Sequence, residues 1–222
     1  MIFFMIHIIK SSILFVMLTV VGVASVASQT PPALELYGSV GYGRVLSGFQ
    51  KDLAEDALDP TPDTVNPFEF RIGAAAYPVV PWLGVEAYYT AIGRTSANSD
   101  QVSEALSLYE YTAVAGGVAL RGSWPIEGGF GLATLSGGLR RSSPAIAGEF
   151  EDVLGFTTSD IDPGTGWYVS GRFGGTGGIF YGAMQIDYIA DTGTVVSSGR
   201  TFDGNHFLFH FLVGLGLFGS DA

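Results

Sequence analysis

The chain has 222 residues, of which 47% are hydrophobic and only 14% charged, with 32 glycines, no cysteine and a formal net charge of -11. The missing cysteines exclude a disulfide framework and thiolate chemistry, and the acidity argues against a nucleic-acid partner, which selects basic patches. So few charges would leave a soluble globular surface open to aggregation, a difficulty that vanishes for a surface facing lipid.

Residues 1–28 read as a signal peptide. Met1 to Lys10 carries one positive charge, Ser11 to Val23 is almost wholly apolar, and Val26-Ala27-Ser28 supplies the small residues of a cleavage site. A transmembrane anchor is the rival reading, since the run approaches the ~20 residues of a span; against it, the run sheds bulk towards its end and no basic cluster follows. Met5 is an alternative translation start. Residues 29–222 then form one domain.

Period-2 alternation, the signature of a strand with two unlike faces, recurs through that domain. In Leu34 to Val45, Leu34, Leu36, Gly38, Val40 and Tyr42 oppose Glu35, Tyr37, Ser39, Gly41 and Gly43. Leu46 to Asn66 is acidic and followed by Pro67, a loop signal. Phe68 to Tyr77 and Trp82 to Arg94 alternate about the tight turn Pro78 to Pro81, a hairpin. Thr95 to Ser107 is expected to be a second polar loop. Tyr109 to Ser123 continues, turns at Trp124 to Glu127, and leads into Gly128 to Arg141, whose pattern is weakest: Phe130 and Leu132 are even, Ala133, Leu135 and Leu139 odd. Either face could meet lipid there, or a bulge switches them. Ser142 to Thr165 is the third expected loop. Gly166 to Phe173 and Phe180 to Ala190 flank the short turn Gly174 to Gly178. Asp191 to Asn205 is the fourth loop, and His206 to Phe218 closes the series with Phe207, Phe209, Phe211, Val213, Leu215 and Leu217 on one face.

These eight strands are joined by alternating long and short connections, as when loops face outside and turns face the periplasm. Trp82, Trp124, Phe130, Phe173, Phe180 and Phe218 all lie beside the short turns or the end, one aromatic girdle. Of the 21 acids, 14 fall in the four expected loops. In lipid only a closed sheet satisfies every backbone group made of strands. The expected fold is therefore all-β, an eight-stranded antiparallel up-and-down transmembrane β-barrel after an N-terminal signal peptide, in a bacterial outer membrane.

From Leu34 to Phe218 the chain resembles the small outer-membrane barrels of the OmpA transmembrane-domain and OmpX type, most suggestively in the hairpin FEFRIGAAAYPVVPWLGVEAYYT. The likeness is one of pattern and layout, without a diagnostic motif. Members commonly end on an aromatic residue that the assembly machinery recognises, whereas here Gly219-Ser220-Asp221-Ala222 follow Phe218. No peptidoglycan-binding domain follows, so a wall anchor of that kind is not expected.

An eight-stranded barrel is wide enough only to be filled by side chains, and buried charges need partners. The inward Glu35, Glu69, Arg71, Glu86, Arg121, Arg172 and Asp187, with Tyr37, Tyr88, Tyr111, Tyr168 and Gln185, are expected to form a salt-bridged plug. In it the acids of the first three strands bridge to Arg71, Arg121 and Arg172. The competing reading is a narrow or gated solute path lined by the same groups. His206 and His210 lie about 13 Å apart on a strand, too far to ligate one ion. Gly214 to Gly219 matches GxGxxG, but neither a helix nor an acid about twenty residues on follows. Two serine constellations suggest hydrolysis, Ser197, Ser198, Asp203 and His206 near the last loop and Ser170, Asp187 and His210 inside; the His-x-Ser of lipid A deacylases is missing. Asp160 and Asp162 offer carboxylates for a divalent cation, but the stretch is not an EF-hand loop, and a solvated surface is the plainer reading.

The sequence thus points to a barrel with a structural or surface-interaction role, no enzymatic activity, and no metal or cofactor. A low-conductance pore and a lipid-modifying barrel enzyme are the alternatives. Outer-membrane lipids, lipopolysaccharide and the assembly machinery are the expected partners, and the protein is expected to be a monomer.

Overall fold

A computed structural model describes residues 31–48, 64–99 and 102–218. The expected signal peptide, most of the first loop and the final tetrapeptide lie outside the described residues. In chain order the elements are β1 (Leu34–Gly48), β2 (Thr64–Val80), β3 (Leu83–Ser99), β4 (Val102–Ile126), β5 (Gly129–Ile146), α1 (Gly148–Leu154), a 3-10 turn (Thr158–Asp160), β6 (Ile161–Pro163), β7 (Thr165–Gly177), β8 (Phe180–Val195) and β9 (Arg200–Leu217). Every neighbouring pair is antiparallel, β1 pairs with β9, and eight strands form a closed ring to which β6 adds beside β8. No helix among the described residues is long and apolar enough to cross a membrane.

The register fixes the tilt. Stepping across partners from Leu34 leads through Ala76, Val85, Val118, Gly137, Val169, Tyr188 and Phe207 to Arg44, ten residues above the start (44 minus 34). With about 3.3 Å per residue and about 4.8 Å between strands, that stagger over eight strands means a tilt of roughly 40° and a climb of about 2.5 Å per residue.

The outer wall is hydrocarbon. Phe207, Phe209, Phe211, Val213 and Leu215 of β9 are exposed, as are Leu36 and Val40, Phe70 and Ile72, Val85, Val114 and Val118, Leu135 and Leu139, Val169, Met184 and Ile186 around the ring. From Phe180 and Trp82 below to Phe68 and Phe207 above, this belt stands roughly 25 Å tall, the height a membrane barrel offers to lipid. A continuous exposed apolar surface of that size is unstable in water and stable against acyl chains. Of the expected girdle, Trp82, Phe173, Phe180 and Phe218 are exposed; Trp124 stacks on Phe173 at 5.2 Å, and it and Phe130 are half-buried.

The faces exchange character above the belt. There the outward residues become polar, among them Arg44, Arg94, Glu110, Thr112, Ser143 and Thr165, while Val45, Val65, Leu108, Tyr109, Ile146 and Ile161 point inward and pack with Phe150 of α1. Below the level of the lipid headgroups, oil lies outside and charge inside; above it, water lies outside and oil inside.

This exchange corrects the loop assignments. Thr95 to Ser107 is largely strand, with β3 running to Ser99 and pairing with β4 from Val102. Asp191 to Asn205 contains the ends of β8 and β9 around a turn at 196–199, where Gly199 has φ +67°. Ser142 to Thr165 holds the end of β5, α1, the 3-10 turn and β6. Their outward polarity reads as loop, yet the ladder only needs a paired neighbour, and Ser and Thr supply that as well as Val. β5 has a single phase with no bulge: Ala133, Leu135 and Leu139 are exposed, and Leu132, Thr134, Ser136 and Arg140 are buried. The bulge lies on β3, where Ala91 and Ile92 both face out between Thr90 and Gly93.

Candidate functional site

Inward phase carries all seven charged residues proposed from the sequence, Glu35, Glu69, Arg71, Glu86, Arg121, Arg172 and Asp187, into the barrel interior, where each is buried. They form two tiers. In the lower, Arg121 Nη1 meets Glu35 Oε1 at 2.5 Å and its other nitrogens donate to the carbonyls of Pro81 (3.0 Å) and Pro32 (2.9 Å). Arg172 pairs with Glu86, lies 3.6 Å from Glu35, and donates from Nε to Gln185 Oε1 at 2.8 Å. Tyr37 donates to Glu86 at 2.7 Å. The guanidinium carbon of Arg121 sits 3.4 Å from the Tyr77 ring centroid, an aromatic face in place of water.

The upper tier centres on Glu69, which accepts from Arg71 (2.7 Å), Arg140 (2.6 Å), Tyr111 (3.0 Å) and Thr90 (3.2 Å). Arg71 also meets Asp187 at 2.6 Å and Arg140 meets Asp191 at 3.1 Å. Asp187 accepts from Ser170 and, at 2.5 Å, from Gln185 Nε2. Gln185 thereby joins the tiers, its amide oxygen accepting in the lower and its amide nitrogen donating in the upper. Four guanidiniums face five carboxylates, and the interior offers low dielectric and fixed geometry, so removing one partner strands the other.

Small residues make room for this. A Cβ at Gly41 would collide with the His210 imidazole, and one at Gly73 with the Tyr37 ring. The GxGxxG glycines serve the same end: a Cβ at Gly214 would strike the Leu36 carbonyl, and one at Gly216 the Pro32 ring.

Arg140 and Asp191 were not among the sequence candidates. Arg140 sits on β5, whose phase the sequence leaves open, and Asp191 in a stretch read as loop. The available signal was the Arg140-Arg141 pair, since adjacent strand residues face opposite ways and one of them had to point inward.

Of the two serine constellations, the one near the last loop comes apart, whereas Ser170, Asp187 and His210 do share the interior, joined through Asp187. Ser197 and Ser198 are exposed at the β8–β9 turn, the Asp203 side chain lies outside the described residues, and His206 is buried in the interior. Ser170 donates to Asp187 rather than lying against His210. The hydroxyl beside His210 is Ser39, 3.2 Å from Nδ1, with Asp187 3.3 Å from Nε2. The order serine, histidine, aspartate is that of a hydrolytic triad, but the two ring nitrogens are exchanged, since in a triad the serine meets Nε2 and the carboxylate Nδ1. All three members are also buried, and Asp187 is already held by Arg71, Ser170 and Gln185. His206 and His210 both face inward, and no metal-ligand cluster is present among the described residues. Asp160 caps the 3-10 turn through Thr157, and Asp162 is exposed on β6.

The mouth is closed from above. Phe150 reaches into the apolar cluster of Val45, Val65, Leu108, Tyr109, Tyr111, Ile146 and Ile161, and Leu154 and Phe156 pack over Val195. Hydrogen bonds tie the insert to the wall: Ala147 N donates to the Leu108 carbonyl, Val196 N to the Asp160 carbonyl, and Ile146 N to the side-chain Oγ1 of Thr158.

No protein-family model matches the chain, and no curated protein matches it. Among solved structures it is similar to the outer membrane protein OprG from Pseudomonas aeruginosa, at 9% identity over 86% of this chain and 96% of that one, TM-score 0.43. Neisserial surface protein A is similar at 11% identity over 83% and 97%, TM-score 0.47. So is Ail, the attachment invasion locus protein of Yersinia pestis, solved with the heparin analogue sucrose octasulfate, at 13% identity over 82% and 96%, TM-score 0.40. These are likenesses of fold alone; the chain's own closed strand ring and apolar belt make it a membrane-spanning β-barrel.

Proposed function

We propose that the protein is a sealed outer-membrane barrel whose role lies at the cell surface, structural or adhesive, and that it neither conducts solutes nor catalyses a reaction. The observation that carries this reading is the double closure of the lumen. Two tiers of ion pairs fill the membrane level, and an apolar cluster under α1 fills the mouth. A solute path would need waters along the axis, and the charged groups that would line it are paired with one another. The interior polar atoms without a partner among the described residues, such as those of His206, Tyr168 and Tyr181, are fully buried. The Ser39-His210-Asp187 connection lies inside this plug, where no substrate reaches it. The extended strand ends and the α1 insert are then the parts available to a partner, with the assembly machinery and the surrounding lipids, lipopolysaccharide included, meeting the wall. The working unit is one chain.

Planar-bilayer recording on the refolded full chain tests the seal. Steady single-channel conductance of the wild type would favour the pore. A silent wild type with conductance appearing in Arg71→Ala/Arg140→Ala is the expected pattern. A lipid A mass shift on expression, lost on His210→Ala, would instead establish an enzyme.

A further inference from the structure

Of the eight arginines among the described residues, four fill the lumen and Arg200 sits at the β8–β9 turn. The remaining three, Arg44 on β1, Arg94 on β3 and Arg141 on β5, are exposed, face outward, and form no ion pair or hydrogen bond among the described residues. Their heights coincide. Arg44 lies opposite Phe207, Arg94 opposite Phe68, and Arg141 stands four residues above Gly137. From the stagger and tilt of the strands, the three fall within about 4 Å of one level. That level is the upper edge of the apolar belt. Alternate strands separate them by roughly 10 Å each, so they span an arc from β1 to β5.

The opposite edge of the belt differs. Val79, Trp82, Ile126, Ile179, Phe180 and Phe218 are exposed there with Glu127, and no basic side chain among the described residues is. In a chain of net charge -11 the outward-facing arginines without an internal partner are thus concentrated, among the described residues, at one membrane boundary. Glu110 faces Arg94 in register without an ion pair to it. Long arginine stems lie along apolar surface while the guanidinium reaches the polar layer, and its planar donor fork matches phosphate oxygens.

We propose that Arg44, Arg94 and Arg141 form a collar that binds phosphate-bearing lipid headgroups of the outer leaflet. The proposal rests on the belt lying in a membrane, and it assigns the collar a lipid phosphate in place of an internal partner. It offsets the repulsion between the acidic extramembrane surface and an anionic leaflet.

The test folds the full chain into phosphatidylcholine vesicles containing a minority of phosphatidylglycerol or of diphosphorylated lipid A. Protein extracted in mild detergent is read by native mass spectrometry, wild type beside R44Q/R94Q/R141Q. The wild type should retain anionic lipid over phosphatidylcholine, by on the order of fivefold for each arginine engaged. The triple variant should lose most of that preference, R44K/R94K/R141K should keep part of it, and excess inorganic phosphate should not displace the lipid. Equal retention by wild type and the glutamine variant overturns the collar, as does displacement by inorganic phosphate, which would mark a free-anion site. An unboiled gel shift accompanies each sample. Its absence in the wild type refutes the barrel itself, whereas a shifted band without lipid preference refutes only the collar. Should the triple variant not shift, the three single variants are read instead, each expected to lose a share, and no loss in any of them overturns the proposal.

Discussion

At the scale of the residue, Arg140 holds two carboxylates, Glu69 and Asp191, and its removal leaves Asp191 without its cationic partner and Glu69 with Arg71 alone. Arg140→Ala is expected to lower the unfolding free energy in detergent by about 3–5 kcal/mol, read as a drop in the urea midpoint. Arg121→Ala, which strands Glu35 except for the longer contact to Arg172, should destabilise in the same direction. An unchanged midpoint in either variant would mean that the plug is not what holds the barrel. At Gly41 steric fit decides, because a methyl group there meets the His210 ring. Gly41→Ala should cost about 1–3 kcal/mol, and a double-mutant cycle with His210→Ala should reveal coupling between the two sites. These positions differ in how plainly the sequence announces them. Glu35, Glu69 and Arg172 stand among cleanly alternating neighbours, so their inward phase is legible, whereas Arg140 depends on a strand whose two faces are equally mild.

At the scale of the element, α1 and the 3-10 turn are held to the wall by Phe150 and by a few backbone bonds. Phe150→Ala removes the residue that enters the apolar cluster, with a cost on the order of 3 kcal/mol localised to the insert. Hydrogen exchange should quicken at residues 147–160 while the belt strands stay protected. If the belt strands exchanged equally fast, the mouth and the membrane ring would be one cooperative unit. The polar strand ends show the limit of pattern reading. Thr95 to Ser107 has the composition of a loop because its outward residues face water, and nothing local reveals that β4 waits opposite to complete the ladder.

For the whole molecule, the belt makes a depth-dependent prediction. Val118 is exposed near mid-belt, and Thr112 faces outward near the upper edge. Val118→Arg should destabilise the barrel in lipid vesicles by about 2–4 kcal/mol, and Thr112→Arg by much less, because only the first drags a charge into hydrocarbon. Equal effects from the two, measured by denaturant unfolding from vesicles, would contradict the assigned membrane level. The unboiled protein should also migrate apart from the boiled protein in a denaturing gel, since a sheet without edges has no site at which unfolding starts cheaply.

Hydrophobic alternation by itself determined the eight strands of the ring, though not β6, the outward faces of most strands and the buried position of Glu35, Glu69, Arg71, Glu86, Arg121, Arg172 and Asp187, because phase on a strand is a local property. Which carboxylate meets which guanidinium, the phase of β5, the exchange of oil and charge above the belt and the common height of Arg44, Arg94 and Arg141 were decided only by closure. They depend on the pairing of β9 with β1 and on the ten-residue stagger that accumulates round the ring. That stagger relates residues far apart in the chain, and no local pattern carries it.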